Sequence, residues 1–531
     1  MAEPIRFEYR YETRADLHRA FRAMSDTDAF NRAANANMTF TQSPNADGSS
    51  VTTGSVSKLG MTVRWQERPF SFRAPHWFSI RRDFDNGPAA RMTARATFSQ
   101  RPGGGTVIDY SLEVLARNAI FRPVVNFDLK RSLEPALRRA IEGVVAQLEQ
   151  DVELDPERSL LGPAPALKQR EAARLVELVS ELAPSQLRDR MLLFLRAAPE
   201  REQHSMSPIT LAQAWIAPLE DVAQLFIDAA TIGLLAVRVD LLCPACLVPK
   251  AMLDEQGRMP EVHCESCGIP LDPSYPEGLA LHFFPSPSIR TLRVKNECIG
   301  SPHKTPQIVA QEAVEPGAEV DLATTLRAGT YQLRTMPAVG PAALIDVRDG
   351  EDTKSAAFTL RGSLQPQLAR LRPEPTSIPF RNASEVPVVV VLERLEPPRR
   401  VLSLGRMLVE YPALRKLLPA TGFISSMSTF LGVAVAIRAL SPDAANKVQS
   451  ALRRARLTYV SDSVVLAVYA DGERSHEDLR ELDLSTMLVG VCEGTISEST
   501  IGPRSVPVGP AIDDAYAAMC SAGFGRIGRA P

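Results

Sequence analysis

From Ile5 to about Gln150 the chain alternates apolar and polar residues in short runs, among them Phe7-Tyr9-Tyr11, Met61-Val63-Trp65 and Val107-Asp109-Ser111-Glu113. A period of two is the mark of strands with one buried face. Two short helical stretches, around Leu17–Met24 and Asp26–Ala33, follow the first strand. Leu129, Leu133, Leu137, Ile141, Val144 and Leu148 then mark one face of a long helix. The order expected over residues 1–152 is strand, two helices, six strands, long helix.

A Pro-rich break at Gly162-Pro-Ala-Pro leads to helices from about Leu167 to Leu234 and a strand-like run, Leu235-Ala-Val-Arg-Val-Asp-Leu-Leu. Helix, helix, hairpin over residues 165–242 sketches a winged helix. From Leu279 to Leu395 period-two runs return between turn signals (Ala328-Gly329, Asp349-Gly350, Arg361-Gly362) and end in Val386-Pro-Val-Val-Val-Val-Leu, so residues 279–396 read as an all-β module. After Pro397-Pro398 a helical stretch, Leu402–Leu418, opens a final α/β segment over residues 400–531. The fold class expected is a multi-domain α+β chain, since 531 residues exceed what one core can hold. The strand and helix order of residues 1–152 resembles the helix-grip fold of START-like, polyketide-cyclase-like binders. That resemblance implies a curved sheet around the last helix and a small hydrophobic ligand.

Composition narrows the functional classes. Lys plus Arg (60) nearly balances Asp plus Glu (62), so no global field draws the protein to nucleic acid or an anionic surface, and any such partner needs a local patch. Between Ile209 and Leu242, Glu220, Asp221, Asp228 and Asp240 face Arg238 alone, which argues against a DNA-recognition helix. A DNA-binding regulator acting through the helical region and the cysteine segment is thus an alternative the charges disfavour. The N-terminus lacks a signal-peptide pattern and reads directly as a strand. Phe423–Leu440 carries Ser425, Ser426, Ser428, Thr429 and Arg438 and falls short of a membrane span. A cytoplasmic protein is expected.

Cys243-Pro-Ala-Cys246 and Cys264-Glu-Ser-Cys267, seventeen residues apart, have zinc-ribbon spacing. Four thiolates close a tetrahedral shell with no open position, so a structural Zn²⁺ is expected over residues 243–275, with His263 unnecessary as a ligand.

Leu431-Gly-Val-Ala-Val-Ala-Ile-Arg438, a helix around Asn446–Ala455, and Thr458-Tyr-Val-Ser-Asp462-Ser-Val-Val-Leu-Ala-Val-Tyr469 resemble the opening strand, helix and hairpin of a class III adenylate/guanylate cyclase domain. Met487-Leu-Val-Gly-Val-Cys-Glu493-Gly494 and Pro507-Val-Gly509-Pro-Ala-Ile-Asp513-Asp-Ala-Tyr-Ala517 are similar to its later stretches. The domain order, with a START-like domain, helices, a ribbon and a β module holding Gly329-Thr-Tyr-Gln-Leu-Arg334, looks like bacterial cyclase-domain proteins with an uncharacterised sensory region. The resemblance implies a ferredoxin-like domain that dimerises and cyclises a nucleoside triphosphate with two metal ions. Arg438 stands where it places the first metal carboxylate, and Asp462 keeps the second, pairs with Arg438 or lies on a turn. Thr458 replaces the purine-reading Lys, and Asp513 and Ala517 replace the catalytic Asn and Arg. Losing several such groups abolishes turnover, so the expectation is a pseudocyclase serving as a signalling scaffold, dimerising or meeting a protein partner through this domain. The alternative is an active cyclase with unorthodox metal ligands.

Trp65, Phe70, Phe72, Trp77 and Phe78 crowd the middle strands of the N-terminal region. Trp65, Phe72, Trp77 and Phe78 are the candidates for lining a ligand pocket, with ordinary core as the competing reading. No histidine has a catalytic partner legible in sequence, and no Walker loop, nucleophile elbow or dinucleotide fingerprint occurs.

Overall fold

The computed structural model describes residues 3–27, 38–44, 50–58, 61–149, 167–243, 249–252, 262–264, 269–271, 279–292, 301–395, 403–418, 427–461, 463–501 and 504–530. The chain forms a multi-domain α+β architecture in two compact units, one of residues 1–151, 265–269 and 296–395, the other of 152–264, 270–295 and 396–531.

The first unit opens with β1 (Ile5–Thr13) and α1 (Leu17–Met24), whose start is fixed by Asp16 accepting the Arg19 amide at 3.0 Å. The strands β2 (Met38–Pro44), β3 (Ser50–Lys58), β4 (Met61–Glu67), β5 (Ser71–Arg73), β6 (Trp77–Phe84), β7 (Ala89–Gln100) and β8 (Thr106–Ala116) follow. α2 (Arg122–Asp128), a π-helical turn (Leu129–Leu133) and α3 (Glu134–Glu149) close the segment. Seven strands follow α1 among the described residues, where the sequence pattern counts six. β5 has three residues, too few to leave a period-two signature. Of the second helix expected at Asp26–Ala33, residues 28–33 lie outside the described residues. The sheet runs β1-β8-β7-β6, with β4, β3 and β2 continuing from β6 on one branch and β5 on the other. Its inner face buries Phe78, Ala96, Phe98, Ile108 and Leu112 against Phe21 of α1 and Leu137, Ile141 and Leu148 of α3. The alternation read from the sequence is therefore the alternation of core and solvent faces.

The chain next enters the second unit through α4 (Gln169–Glu181), α5 (Gln186–Ala197), the single turn α6 (Glu200–Gln203), α7 (Pro208–Trp215) and α8 (Leu219–Thr231). The strands β9 (Leu235–Leu242), β10 (Pro249–Met252), β11 (Val262–Cys264), β12 (Ile269–Leu271) and β13 (Leu279–Pro285) come after them. β9 is central, with β10 and β13 antiparallel on either side. β13, which its sequence period places with the β module, thus pairs with β9. Period two reports a strand but not its partner. Phe226 of α8 meets Phe283 of β13 edge-on, with centroids 5.1 Å apart.

The return to the first unit brings β14 (Ile308–Val314), β15 (Glu319–Asp321), β16 (Thr324–Thr325), β17 (Gly329–Met336), β18 (Ala343–Val347), β19 (Phe358–Leu360), β20 (Leu364–Gln365), β21 (Leu368–Leu371), β22 (Pro375–Thr376), β23 (Pro379–Asn382) and β24 (Val388–Arg394). This module does not stand apart from the N-terminal sheet. β14 pairs with β24 on one side and β5 on the other, giving one 13-stranded sheet among the described residues. β24 explains its unbroken apolar run: Val389 and Val391 belong to the N-terminal core, while Val388, Val390 and Leu392 belong to the core of the module. The β5–β14 seam is short and held by side chains. Arg73, almost fully buried, donates to Glu312 at 2.5 Å and to the Asp321 carbonyl at 2.9 Å, and Gln311 donates to the Phe70 carbonyl at 2.8 Å.

The second unit ends with α9 (Leu404–Glu410), β25 (Met427–Arg438), α10 (Pro442–Ala451), β26 (Leu457–Ser461), β27 (Val464–Tyr469), α11 (Gly472–Arg480), β28 (Leu488–Ile501), β29 (Arg504–Val508), α12 (Pro510–Ser521) and β30 (Ile527–Arg529). The strand order is β26-β27-β25-β28-β29, with β30 parallel to β28. Val433, Val435 and Ile437 of β25 pack with Ala445 and Val448 of α10 and Leu479 of α11. α12 lies on the other face, so close to Gly490 that a Cβ there would stand 2.0 Å from the Ala515 carbonyl oxygen. Only glycine permits that approach.

Within the second unit, β9 and β13 share a buried polar cluster. The Asp240 carboxylate, fully buried, accepts from Arg238 at 2.7 and 2.9 Å and lies 2.9 Å from His282 Nδ1. Burial alone would raise the Asp240 carboxyl, but the hydrogen bonds from His282 and Arg238 outweigh it and hold the carboxyl below its ordinary range.

Two outcomes follow from these contacts. Arg73→Ala removes the buried guanidinium and leaves the half-buried Glu312 carboxylate and the Asp321 carbonyl without their donor, and should cost about 2–4 kcal/mol in urea unfolding, against roughly 1 kcal/mol for Glu312→Gln. Because the Asp240 pKa is depressed in the fold, its stabilisation is present above the unfolded value of about 3.9 and is lost as pH falls through the lower folded value. Asp240→Asn should therefore lower stability at neutral pH and flatten the acid limb of a stability–pH curve.

Candidate functional site

The four aromatic candidates do not converge on one space. Phe72 and Phe78 are buried on the inner face, where Phe21 meets Phe72 at 6.4 Å and Phe78 at 6.0 Å, and Phe98 meets Phe21 at 5.5 Å and Phe78 at 6.0 Å between centroids. Trp77, the neighbour of Phe78 on β6, points to the opposite face by the pleat of the strand. There it is half-buried between two guanidinium groups, Arg95 at 4.4 Å and Arg73 at 5.4 Å from the ring. Trp65 lies in a separate group with Phe40 and Phe84, under Arg82, and donates its indole N–H to Glu67 at 2.7 Å. Its ring fills the room a side chain at Gly54 would take, since a Cβ there would be 2.2 Å from the indole.

The expectation of a structural zinc ion held by Cys243, Cys246, Cys264 and Cys267 is corrected. Among the described residues no group of three or more His, Cys, Asp or Glu side chains could hold a metal ion. Cys243 is buried at the end of β9, Cys246 and Cys267 lie outside the described residues, and of Cys264 only the backbone, in β11, is described. Two-residue spacing brings a pair of sulfurs to one ion, but a closed shell needs both pairs to converge. No such convergence exists among the described residues.

In the C-terminal segment the positions singled out by sequence fall on different elements. Arg438 ends β25, paired in register with Val464 and Leu488, and Asp462 lies outside the described residues. Thr458 on β26 accepts from the Gln449 amide at 3.0 Å. Asp513 opens α12 and accepts from the Ser403 hydroxyl at 2.6 Å, while that same oxygen caps α9 by accepting the Arg406 amide at 3.1 Å. The first turn of α12 sits over Gly494, six residues along β28 from the Arg438 partner Leu488. At about 3.3 Å per residue, Asp513 and Arg438 are served by points about 20 Å apart on that strand. Beside this seam Arg406 pairs with Glu410 at 3.0 Å and Asp514 at 3.1 Å, and burial pushes the Cys492 thiol up, away from the reactive thiolate.

One cluster escaped the sequence reading. His282, a lone histidine in sequence, is the partner of Asp240, with His204 near enough to feel both. Arg238 and Asp240 at a spacing of two signalled a shared strand face, but the third member depends on the β9–β13 register. Asp240 and His282 are buried, and Arg238 is spent on the Asp240 carboxylate.

Comparison with known proteins gives likeness to solved structures over a little more than a quarter of the chain. No protein-family model matches the chain, and no curated protein matches it. Solved structures similar to it include the ZhuI aromatase/cyclase of a Streptomyces species (11% identity, covering 28% of this chain and 98% of that one, TM-score 0.23). A START superfamily protein from Mycobacterium smegmatis matches at 18% identity over 27% of this chain and 98% of that one, with a TM-score of 0.21. A major latex-like protein from Panax ginseng matches at 11% identity over 27% of this chain and 97% of that one, with a TM-score of 0.20.

Proposed function

We propose that this chain is a non-catalytic signalling or scaffold protein. Its N-terminal domain is START-like and serves docking or the binding of a small hydrophobic ligand. Its C-terminal domain is a ferredoxin-like, degenerate cyclase domain kept for contact with a second copy or another protein. The strand order β26-β27-β25-β28, with α10 and α11 on one face, supports the ferredoxin-like reading.

The observation that carries the non-catalytic reading is the Ser403–Asp513 hydrogen bond. At the position where the family resemblance puts a ribose-orienting Asn, a carboxylate accepts from Ser403, the residue whose hydroxyl oxygen caps the neighbouring helix α9. An anion there would also repel a triphosphate, as Arg438 would repel a metal ion at the position implied for the first carboxylate. Transition-state stabilisation by fixed charges is a large part of such catalysis, and here one charge is reversed at Arg438, two cations are lost at Thr458 and Ala517, and an anion is added at Asp513.

The test is incubation of the full chain with ATP or GTP and Mg²⁺ or Mn²⁺, followed by detection of cyclic nucleotide. None should form above the protein-free control. Cyclic product that disappears in an Asp462→Ala variant would establish the active-cyclase reading instead.

A further inference from the structure

Between β8 and α3 the surface breaks the usual rule for apolar side chains. Ile120, Val124 and Phe127 are 82%, 55% and 64% exposed, while Val125 and Leu129 of the same segment are buried in the core. α2 is therefore anchored by one apolar face and presents another outward. A single exposed aliphatic needs no explanation, but three large ones on one short segment do. The segment passes into α3 through a π-helical turn, Leu129–Leu133, and an open cleft of ≈ 450 Å³ lies beside it, lined by Pro123, Asn126, Phe127, Lys130 and Arg131.

The charge around the stripe points to the occupant. From Arg117 to Arg131 there are four basic residues, Arg117, Arg122, Lys130 and Arg131, against one acidic residue, Asp128, in a chain whose net charge is −2. Arg131 lies over the Phe127 ring at 5.8 Å. Arg117 donates to the backbone carbonyls of Phe84, Gly87 and Ala89, which leaves its charge unneutralised. Among the described residues the acidic groups beside the basic set are Asp128 within α2 and the highly exposed Glu3, 3.7 Å from Arg122, while Glu134 is taken up by Arg138. Outward Ile, Val and Phe ringed by Arg and Lys is the pattern of an element that lies in a bilayer interface, apolar side chains among the acyl boundary and cations at the headgroups.

We infer that the α2 segment docks the first unit on an anionic lipid surface, with Ile120, Val124 and Phe127 inserted and Arg122, Lys130 and Arg131 meeting the headgroups. Nucleic acid would use the cations but leave the aliphatic stripe in water. This docking requires no membrane span, and among the described residues no helix is long and apolar enough to make one.

The test is co-sedimentation of the full chain with vesicles of phosphatidylcholine alone or of equal parts phosphatidylcholine and phosphatidylserine, at low and high salt. Binding should require phosphatidylserine and weaken with salt. It should fall about fivefold for each of Lys130→Ala and Arg131→Ala, and further in the Val124→Ser/Phe127→Ser double variant, whose exposed positions spare the fold. Circular dichroism and urea unfolding of that variant should match the parent. No partitioning by the parent chain, or partitioning unchanged in the double variant, would overturn the proposal. So would light scattering without lipid showing a dimer that the double variant abolishes, since the stripe would then be covered by a second copy.

Discussion

β24 carries apolar side chains on both of its faces, and the first unit is organised around that constraint. A strand with one wet face can end a sheet; a strand of Val388–Leu392 cannot, because each side needs its own layer of partners. On one side lies the N-terminal sheet with α1 and α3, on the other the short strands of the β module. The β5–β14 pairing makes the two halves continuous, and the buried Arg73 fills the seam where only a few backbone hydrogen bonds are available. A surface ion pair there would contribute little, but the Arg73 guanidinium is buried among backbone carbonyls with the half-buried Glu312 beside it, and a slip in register would strand its charge.

The second unit solves a related problem with small residues. β25 and β28 present Val and Ile to α10 and α11, and on the opposite face Ala434, Ala436 and Gly490 let α12 approach closely. That closeness puts Asp513 within reach of Ser403, so the packing that seats the helix also engages the side chain in a structural role. The Asp240 cluster plays a comparable part between β9 and β13. In both places polar groups that could suggest chemistry are satisfied by neighbours and serve the fold.

The limits of legibility follow from the same physics. Alternation reveals β1, β4 and β8 and the helix face from Leu129 to Leu148, because these depend on local periodicity, while the apolar run that becomes β24 marks only the end of the β module. Pairing partners were not legible: β13 joined β9, and three-residue β5 left no pattern at all. The aromatic candidates were correctly seen as strand residues, yet alternate positions on β6 send Phe78 inward and Trp77 outward between two arginines. Cysteine spacing suggested a metal shell whose convergence is a tertiary fact, and no metal-holding group exists among the described residues. His282 became meaningful only through register with Asp240. The exposed stripe at α2 is invisible in sequence because apolar identity alone does not separate Ile120, Val124 and Phe127 from the buried Val125 and Leu129.

The fused sheet can be tested most directly by asking whether a cavity on one face of β24 is felt on the other. In a Trp215→Phe background the remaining tryptophans, Trp65 and Trp77, report the N-terminal half alone. Val390 faces the module and Val391 the N-terminal core. Urea unfolding followed by tryptophan fluorescence should show both Val390→Ala and Val391→Ala lowering the stability of that transition by roughly 2 kcal/mol. A transition lowered by Val391→Ala and unmoved by Val390→Ala would show that the two halves unfold independently and would contradict a single unit built around β24.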